Sequence, residues 1–416
     1  MKQQPVIGGI TVIGTALSIL LIMVVMMAYE LQIMPLSPEN CRDRLLIGRA
    51  VCVQSDDGQS ASPMSVSYAH TLYDSLPHVE AVSYVEQYQS NVEVSKLDDF
   101  PIDAYKRGVD DVFWRIFDFT FLYGRPFNEA EVASELNVAI ITEKIAREVF
   151  GTADAVGMEI MISAVPHNVV GVVKDVSTLA NNSYAQVFLP SVPPSSWGGM
   201  GDFFGTCEAL LLVDDMDNVD EIRAAVKNRI DAINSGLKQE NKEISYFGSP
   251  FTQAESLTVG SDNAPDHSGA KKRMYIYTIL LLIPAINLSS MTHSRLRRRM
   301  SEIGVRRAFG CTRIKILGDI IAENFIISVL GGVIGLLLSI AFAFLFTDLF
   351  LQGAGTSYWG VFEPGGQRLT LSMFFRWNVF GWTLLFCFIL NLLSSGVPAY
   401  RASRMNPAVA IGGINK

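Results

Sequence analysis

The sequence predicts a membrane protein with four transmembrane α-helices and a large α+β extracytoplasmic domain between helices 1 and 2. Three observations predict it. Four long apolar runs punctuate the 416 residues. The stretch between the first two runs has ordinary mixed polarity and is long enough for a core of its own. The charge is partitioned: residues 30–270 hold 36 acidic and 16 basic side chains, a net −20, while the remainder holds 5 and 17, a net +12. Such an asymmetry within one chain implies different compartments for its parts. The apolar content of 49% is only marginally above that of soluble proteins, so the signal lies in where those residues fall.

A bilayer core needs about 20 consecutive apolar residues per helix. Residues 1–29 form the first expected helix, with no charge from Val6 to Ala28. That run exceeds the roughly 7–15 residues of a signal-peptide core and no A-x-A site follows, so it reads as an uncleaved anchor. Residues 271–293 form the second. Pro284 interrupts it and Asn287 follows one turn later, which a bundle tolerates where neighbours satisfy the freed carbonyl. Residues 294–315 form a cytoplasmic loop, since Ser294 to Lys315 holds eight Lys or Arg against one Glu and basic loops stay inside. Lys271, Lys272 and Arg273 dissent on the outer side of the second helix, and the larger cluster outvotes them. The third helix covers residues 316–347, an outer loop 348–373, the fourth helix 374–397, and a cytoplasmic tail 398–416. Both ends are then inside and the acidic domain outside.

Two features of the third helix are candidates for function. Gly331 and Gly335 make a G-x-x-x-G that permits close helix packing, either within the subunit or at a dimer seam. Glu323 lies near the cytoplasmic end, where a carboxylate snorkels or pairs with a loop arginine.

The domain at residues 30–270 reads as mixed α and β. Ser65 to Gln87 suggests a helix running into a strand, with Pro77 near the boundary. Asn137 to Phe150 reads as a strand turning into a helix, with Gly151 suited to the position after its end. His167 to Val176 is strand-like. Asn218 to Ile233 is an amphipathic helix, with Val219, Ile222, Val226, Ile230 and Ile233 at helical spacing. Pro190 to Gly201 is a loop, and Gly248 to Gly269 a polar stretch leading back to the membrane. Cys41, Cys52 and Cys207 face the oxidising side, Cys311 the cytoplasm, and Cys387 lies in the fourth helix. A Cys41–Cys52 bridge and free thiols both remain open.

The loop after the second helix carries the one distinctive surface. Leu296, Met300 and Ile303 share a helical face, while Arg297, Arg298, Arg299 and Arg306 lie elsewhere, which describes a basic amphipathic helix along the inner membrane surface. Gly304 and Gly310 break or kink it. A polybasic segment of this kind also attracts anionic lipid, but it is too short and juxtamembrane to serve nucleic acid. Catalytic chemistry is missing from the sequence. No G-x-x-x-x-G-K-[ST] occurs, the five histidines lack metal-ligand spacing, and no G-x-S-x-G appears.

Several segments, in order, resemble the MacB/FtsX permease family of ABC transporters. Residues 299–313, RMSEIGVRRAFGCTR, are similar to its E-I-G-x-R-x-A-x-G-A pattern, with Cys311 where alanine is usual. Glu323 and the following LGGVIGL, Leu330 to Leu336, are similar to its E…L-G-G-x-x-G-L run. The tail from Pro398 to Ile411 resembles P-A-x-x-A-x-x-x-x-P-x-x-A-L. In the outer domain, Phe121 to Phe127, Ala139 to Gly151 and Val170 to Asp175 resemble the MacB-type periplasmic core.

That resemblance implies a multi-pass protein of the cell inner membrane with its large domain in the periplasm. The loop at 294–315 becomes a coupling helix that seats on an ATPase, with Glu302, Ile303, Gly304, Arg306, Arg307, Gly310 and Arg313 as the carried-over positions. It implies a permease without cofactors of its own, ATP and Mg being held by a separate MacB-type ATPase subunit, whereas MacB itself carries that ATPase fused. It further implies a homodimer or pseudo-symmetric heterodimer, a periplasmic adaptor and outer-membrane channel as partners, and export or extraction of peptides, drugs or lipoproteins. The alternative is an FtsX-like signalling subunit controlling a cell-wall hydrolase, whose outer segment is usually much shorter. An anchored enzyme or receptor is disfavoured by the missing catalytic residues.

Overall fold

The computed structural model describes residues 5–56, 58–97, 99–190, 203–257, 275, 305–306, 309–345, 381–382, 385 and 388–389. The second and fourth expected helices, the outer loop at 348–373, the tail and the loop at Pro190 to Gly201 lie essentially outside those residues. The chain divides into two compact units, one of them centred on residues 32–270.

In the other unit, helix α1 runs from Pro5 to Ile33, 29 residues, and helix α8 from Arg313 to Leu345, 33 residues. At 1.5 Å per residue these are about 44 and 50 Å long. Among the described residues no helix is long and apolar enough to cross a membrane. Along its full sequence α1 runs from Pro5 to Tyr29 without a charge. Thr15, Ala16, Ile19, Ile22 and Met23 of α1 are buried while Ile13 and Leu17 are exposed, so one stripe of the helix carries its packing.

The larger unit is built on two sheet systems. The first is an antiparallel sheet in the order β14-β1-β12-β4, from Phe251–Thr252, Leu45–Gly48, Cys207–Val213 and Val79–Glu86. Consecutive residues point to opposite faces, and here both faces are covered. Leu46, Ala209 and Leu211 enter one core with helices α2 (Val66–Tyr73) and α6 (Val219–Leu237). Leu45, Ile47, Val85 and Leu210 enter another. That explains why LLI and ALLLV are continuous apolar runs instead of alternating ones. Ser65 caps α2, its hydroxyl accepting from the Tyr68 amide at 3.2 Å. A small sheet of β13, β2 and β3 (Glu243–Ile244, Ala50–Ser55, Gly58–Pro63) flanks this core.

Between β4 and β12 the chain inserts a second sheet in the order β7-β10-β8-β11-β6-β5-β9. Its strands are Phe121–Gly124, Val165–Val173, Val138–Thr142, Val187–Pro190, Ile102–Val109, Ser90–Ser95 and Glu159–Ile162. Strand β9 bonds both β5 and the first half of β10. The ladder through β10, β8, β11, β6, β5 and β9 therefore closes on itself, leaving β7 outside the ring. A closed ladder has no free edges. Its apolar residues, among them Val94, Ile141, Ile160, Val169 and Val187, form one core with Ile145 and Ala146 of α5 (Glu143–Phe150). A second core of Phe113, Phe117, Phe127 and Phe188, with helix α3 (Phe113–Ile116), joins the ring to the first sheet.

Gly124 and Gly171 face each other in the β7–β10 pair. A methyl group on Gly124 would sit 2.1 Å from the Val170 carbonyl oxygen, and one on Gly171 would sit 2.8 Å from that of Arg125. Close backbone approach requires glycine at both. Near the start of the polar stretch from Gly248, β14 leads into helix α7 (Gln253–Ser256). There Thr252 and Glu255 form a capping box, each side chain satisfying the other's amide. Cys41 and Cys52 are free thiols, and burial pushes that of Cys41 up to about 11, so it stays protonated.

Candidate coupling site

The described part of the basic loop is a helical turn that ends abruptly. Phe309 donates its amide to the Val305 carbonyl at 3.1 Å and Cys311 donates to that of Arg306 at 3.0 Å. Gly310 between them has φ +88°, the left-handed conformation that closes helices at low cost only with glycine. Two residues later α8 begins at Arg313. Gly310 thus makes an elbow between the loop and the long helix.

Arg306 reaches over the elbow to Asp319 of α8, Nη1 to Oδ2 at 3.4 Å, with both side chains more than half exposed. An exposed pair of this kind is worth at most about 1 kcal/mol. Phe309 is 89% exposed and Ile314 is 84% exposed. The elbow therefore offers a guanidinium flanked by apolar side chains, a combination typical of interface centres. Of the other positions expected here, Glu302, Ile303, Gly304 and Arg307 lie outside the described residues, as does the side chain of Arg313. Asp319 was visible in the sequence only as a charge near a helix start.

Gly331 and Gly335 are buried, and the structure places them against α1. A methyl group on Gly331 would meet Thr15 Cγ2 at 2.7 Å, and one on Gly335 would meet the Ala16 carbonyl oxygen at 2.7 Å. Ser339, one turn further on, is buried too. The close approach is thus between two helices of the same subunit.

Sequence reasoning missed a buried polar cluster in the larger unit. Glu39 is fully buried beside Arg42, Oε2 to Nε at 2.6 Å. Its other oxygen accepts from the Asn182 amide, the Ser183 amide and the Ser183 hydroxyl, each at 2.8 Å. Arg42 also donates to the carbonyls of Met34 and Leu179. A neighbouring buried pair, Arg107 Nη2 to Glu208 Oε1 at 3.4 Å, links β6 of the ring to β12 of the first sheet. Burial draws the Arg107 pKa down, opposed by Glu208. Asp110, at the end of β6, accepts from the Ser83 hydroxyl and the Tyr84 amide of β4 and from the Phe113 amide. Burial nevertheless pushes its carboxyl up to about 6. Among the described residues no group of three or more His, Cys, Asp or Glu is placed to hold a metal.

Residues 9–229 match the MacB-like periplasmic core domain and residues 274–407 the FtsX-like permease C-terminal domain. A Bacillus subtilis (strain 168) protein, the uncharacterized ABC transporter permease YknZ, is 22% identical over 81% of this chain and 77% of its own. The pyoverdine export ATP-binding/permease protein PvdT of Pseudomonas syringae pv. syringae is 28% identical over 64% of this chain. The macrolide export ATP-binding/permease protein MacB of Bdellovibrio bacteriovorus is 24% identical over 70% of it. The chain spans only 38% and 41% of those two relatives. Among solved structures, the periplasmic region of MacB from Actinobacillus actinomycetemcomitans aligns with 47% of this chain and 88% of its own at 15% identity, TM-score 0.32.

Proposed function

Since the chain belongs to the family of ABC transporter permeases that join a MacB-like periplasmic core domain to an FtsX-like permease domain, we propose that it is the membrane subunit of a transporter whose ATPase is a separate chain. ATP hydrolysis there is coupled through the loop at 294–315 to movement of the domain at 30–270, which exports or extracts peptides, drugs or lipoproteins. The reading rests above all on the Val305–Cys311 elbow, which presents Arg306 and Phe309 to the outside immediately before the 33-residue α8. A force applied there by a docked protein enters the long helix directly.

In this reading α1 and α8 are two of four spans, and the larger unit lies outside the membrane. The α1–α8 contact at Gly331 and Gly335 then lets both helices move together. The test is to purify the protein in mild detergent from its native membrane and identify bound proteins by mass spectrometry, comparing wild type with Glu302→Lys/Arg306→Glu. A nucleotide-binding ATPase held by wild type and lost from the variant is the expected result. Absence of any ATPase from the wild-type sample overturns the proposal. A bound cell-wall hydrolase besides the ATPase would instead favour the signalling alternative.

A further inference from the structure

Segments near the two ends of the 32–270 stretch, one outgoing and one returning, meet in a buried polar cluster around Glu39. The outgoing segment begins at the end of α1: the Gln32 carbonyl accepts from Gln253 Nε2 at 3.2 Å, and the Met34 carbonyl accepts from Arg42 at 3.1 Å. The returning segment contributes Gln253 of α7, whose Oε1 accepts from Asn182 Nδ2 at 2.8 Å. Asn182 Nδ2 also donates to Glu39 Oε2 at 3.0 Å. Asn182 and Ser183 belong to neither segment; they sit between β10 and β11 of the inserted ring. The Asn182 carbonyl is gripped in turn by Arg107 of β6, Nη1 to O at 2.5 Å.

Glu39, Arg42, Asn182, Ser183 and Gln253 are all buried, none more than 5% exposed. Buried polar networks cost desolvation and repay it only when satisfied in a single arrangement. A cluster built merely to hold a core together would be more simply made of apolar side chains. This one instead joins three parts of the chain distant in sequence. A hydrogen-bonded grip on the β10–β11 loop acts on the whole ring, because a closed ladder cannot shear strand by strand without breaking its register.

We propose that Glu39 is a positioning residue that clamps the outgoing and returning segments to the inserted ring, so that displacement of either segment carries the ring with it as one body. The proposal rests on the ATP-driven movement put forward above and names the route by which it reaches the outer domain. Arg42 orients the carboxylate, Asn182 passes the grip to Gln253, and Arg107 holds Asn182 from the ring side.

The full chain, together with its co-purifying ATPase, is reconstituted in nanodiscs containing acceptor-labelled lipid. A donor is introduced by unnatural-amino-acid labelling either at Asp154, exposed on the inserted half, or at Ala232, exposed on α6. Energy transfer to the lipid is read with ADP and with ATP plus vanadate. In wild type both donors are expected to respond. In Glu39→Gln the response at Asp154 falls at least threefold while that at Ala232 and the basal ATPase rate are retained, a split that a general loss of stability would not produce. An unchanged Asp154 response in Glu39→Gln overturns the clamp and leaves the transport reading standing. No nucleotide response at either donor in wild type overturns both. Gln253→Ala keeps the Glu39–Arg42 pair, so it serves where Glu39→Gln does not fold. It should lower the Asp154 response about twofold, and an unchanged response there also overturns the clamp.

Discussion

Two glycines with nearly the same backbone angle separate conformational strain from packing. Gly124 has φ +73° and Gly151 has φ +72°, so alanine at either pays about 1 kcal/mol for the left-handed conformation. Around Gly151, the residue closing α5, nothing lies within 4 Å of the position an added methyl would take. Around Gly124 the methyl would meet the Val170 oxygen at 2.1 Å, Gly171 Cα at 2.8 Å and the Val170 carbon at 2.9 Å. All three are backbone atoms, so no side chain can swing aside. The β7–β10 pair must part, at the cost of the Arg125 amide bond to Val170, about 1 kcal/mol, and of overpacking, typically about 1–3 kcal/mol. Gly124→Ala is therefore expected to cost about 4 kcal/mol and Gly151→Ala about 1. The assay is urea unfolding of the full chain in detergent, followed by fluorescence of Trp114 in a background where the other four of the five tryptophans are replaced by phenylalanine. Trp114 reports locally, its ring centroid lying 5.4 Å from that of Phe121 on β7. Equal costs for the two substitutions, within about 0.5 kcal/mol, would refute the reasoning, because the shared strain alone would then account for both.

Two further outcomes follow from the same geometry. Gly335→Ala should lower the heat stability of the protein in detergent more than Gly331→Ala, since the first methyl meets a backbone oxygen and the second a threonine side chain; the reverse order in a thermal melt would show that α1 and α8 pack otherwise. Asp110 should make the larger unit lose stability as pH rises. Its folded carboxyl titrates at about 6 against 3.8 for the ordinary group, so its contribution is fully present below about pH 4 and is lost by the time pH passes about 6. Urea midpoints at pH 4.5 and 7 should differ less in Asp110→Asn than in wild type, whatever the overall stability of the variant.

Local signals carried much of this fold into the sequence. The run NVAIITEKIAREVF becomes β8 and α5 because its apolar spacing changes from strand to helix within one segment, and Gly151 ends it as the pattern requires. The helix expected over Asn218 to Ile233 was legible from its helical apolar spacing, and α6 runs from Val219 to Leu237. What escaped were features made by distant residues. Glu39 and Arg42 sit three apart in a stretch without periodicity, and beyond the Met34 carbonyl the groups that satisfy them come from residues 179–183. Closure of the inserted ladder depends on β10 being long enough to bond β9 first and β7 later, which no local pattern encodes. The T-x-x-E at Thr252 to Glu255 was a readable capping box, yet no apolar run followed it to mark a helix. In the loop at 294–315, the basic residues were legible as a cluster, while the pairing of Arg306 with Asp319 needed the elbow at Gly310 to bring them together.

The inserted ring leaves β4 after Glu86 and rejoins β12 at Cys207, and those two residues face each other across the ladder. Directly opposed antiparallel residues lie only about 5 Å apart. Anything whose own ends lie that close can be spliced between these two rungs without rerouting the remaining chain. The same permease frame could thus accept a larger, smaller or wholly foreign module at this point. The replacement would need an apolar patch to cover Leu45, Ile47, Val85 and Leu210, which the present ring keeps from water.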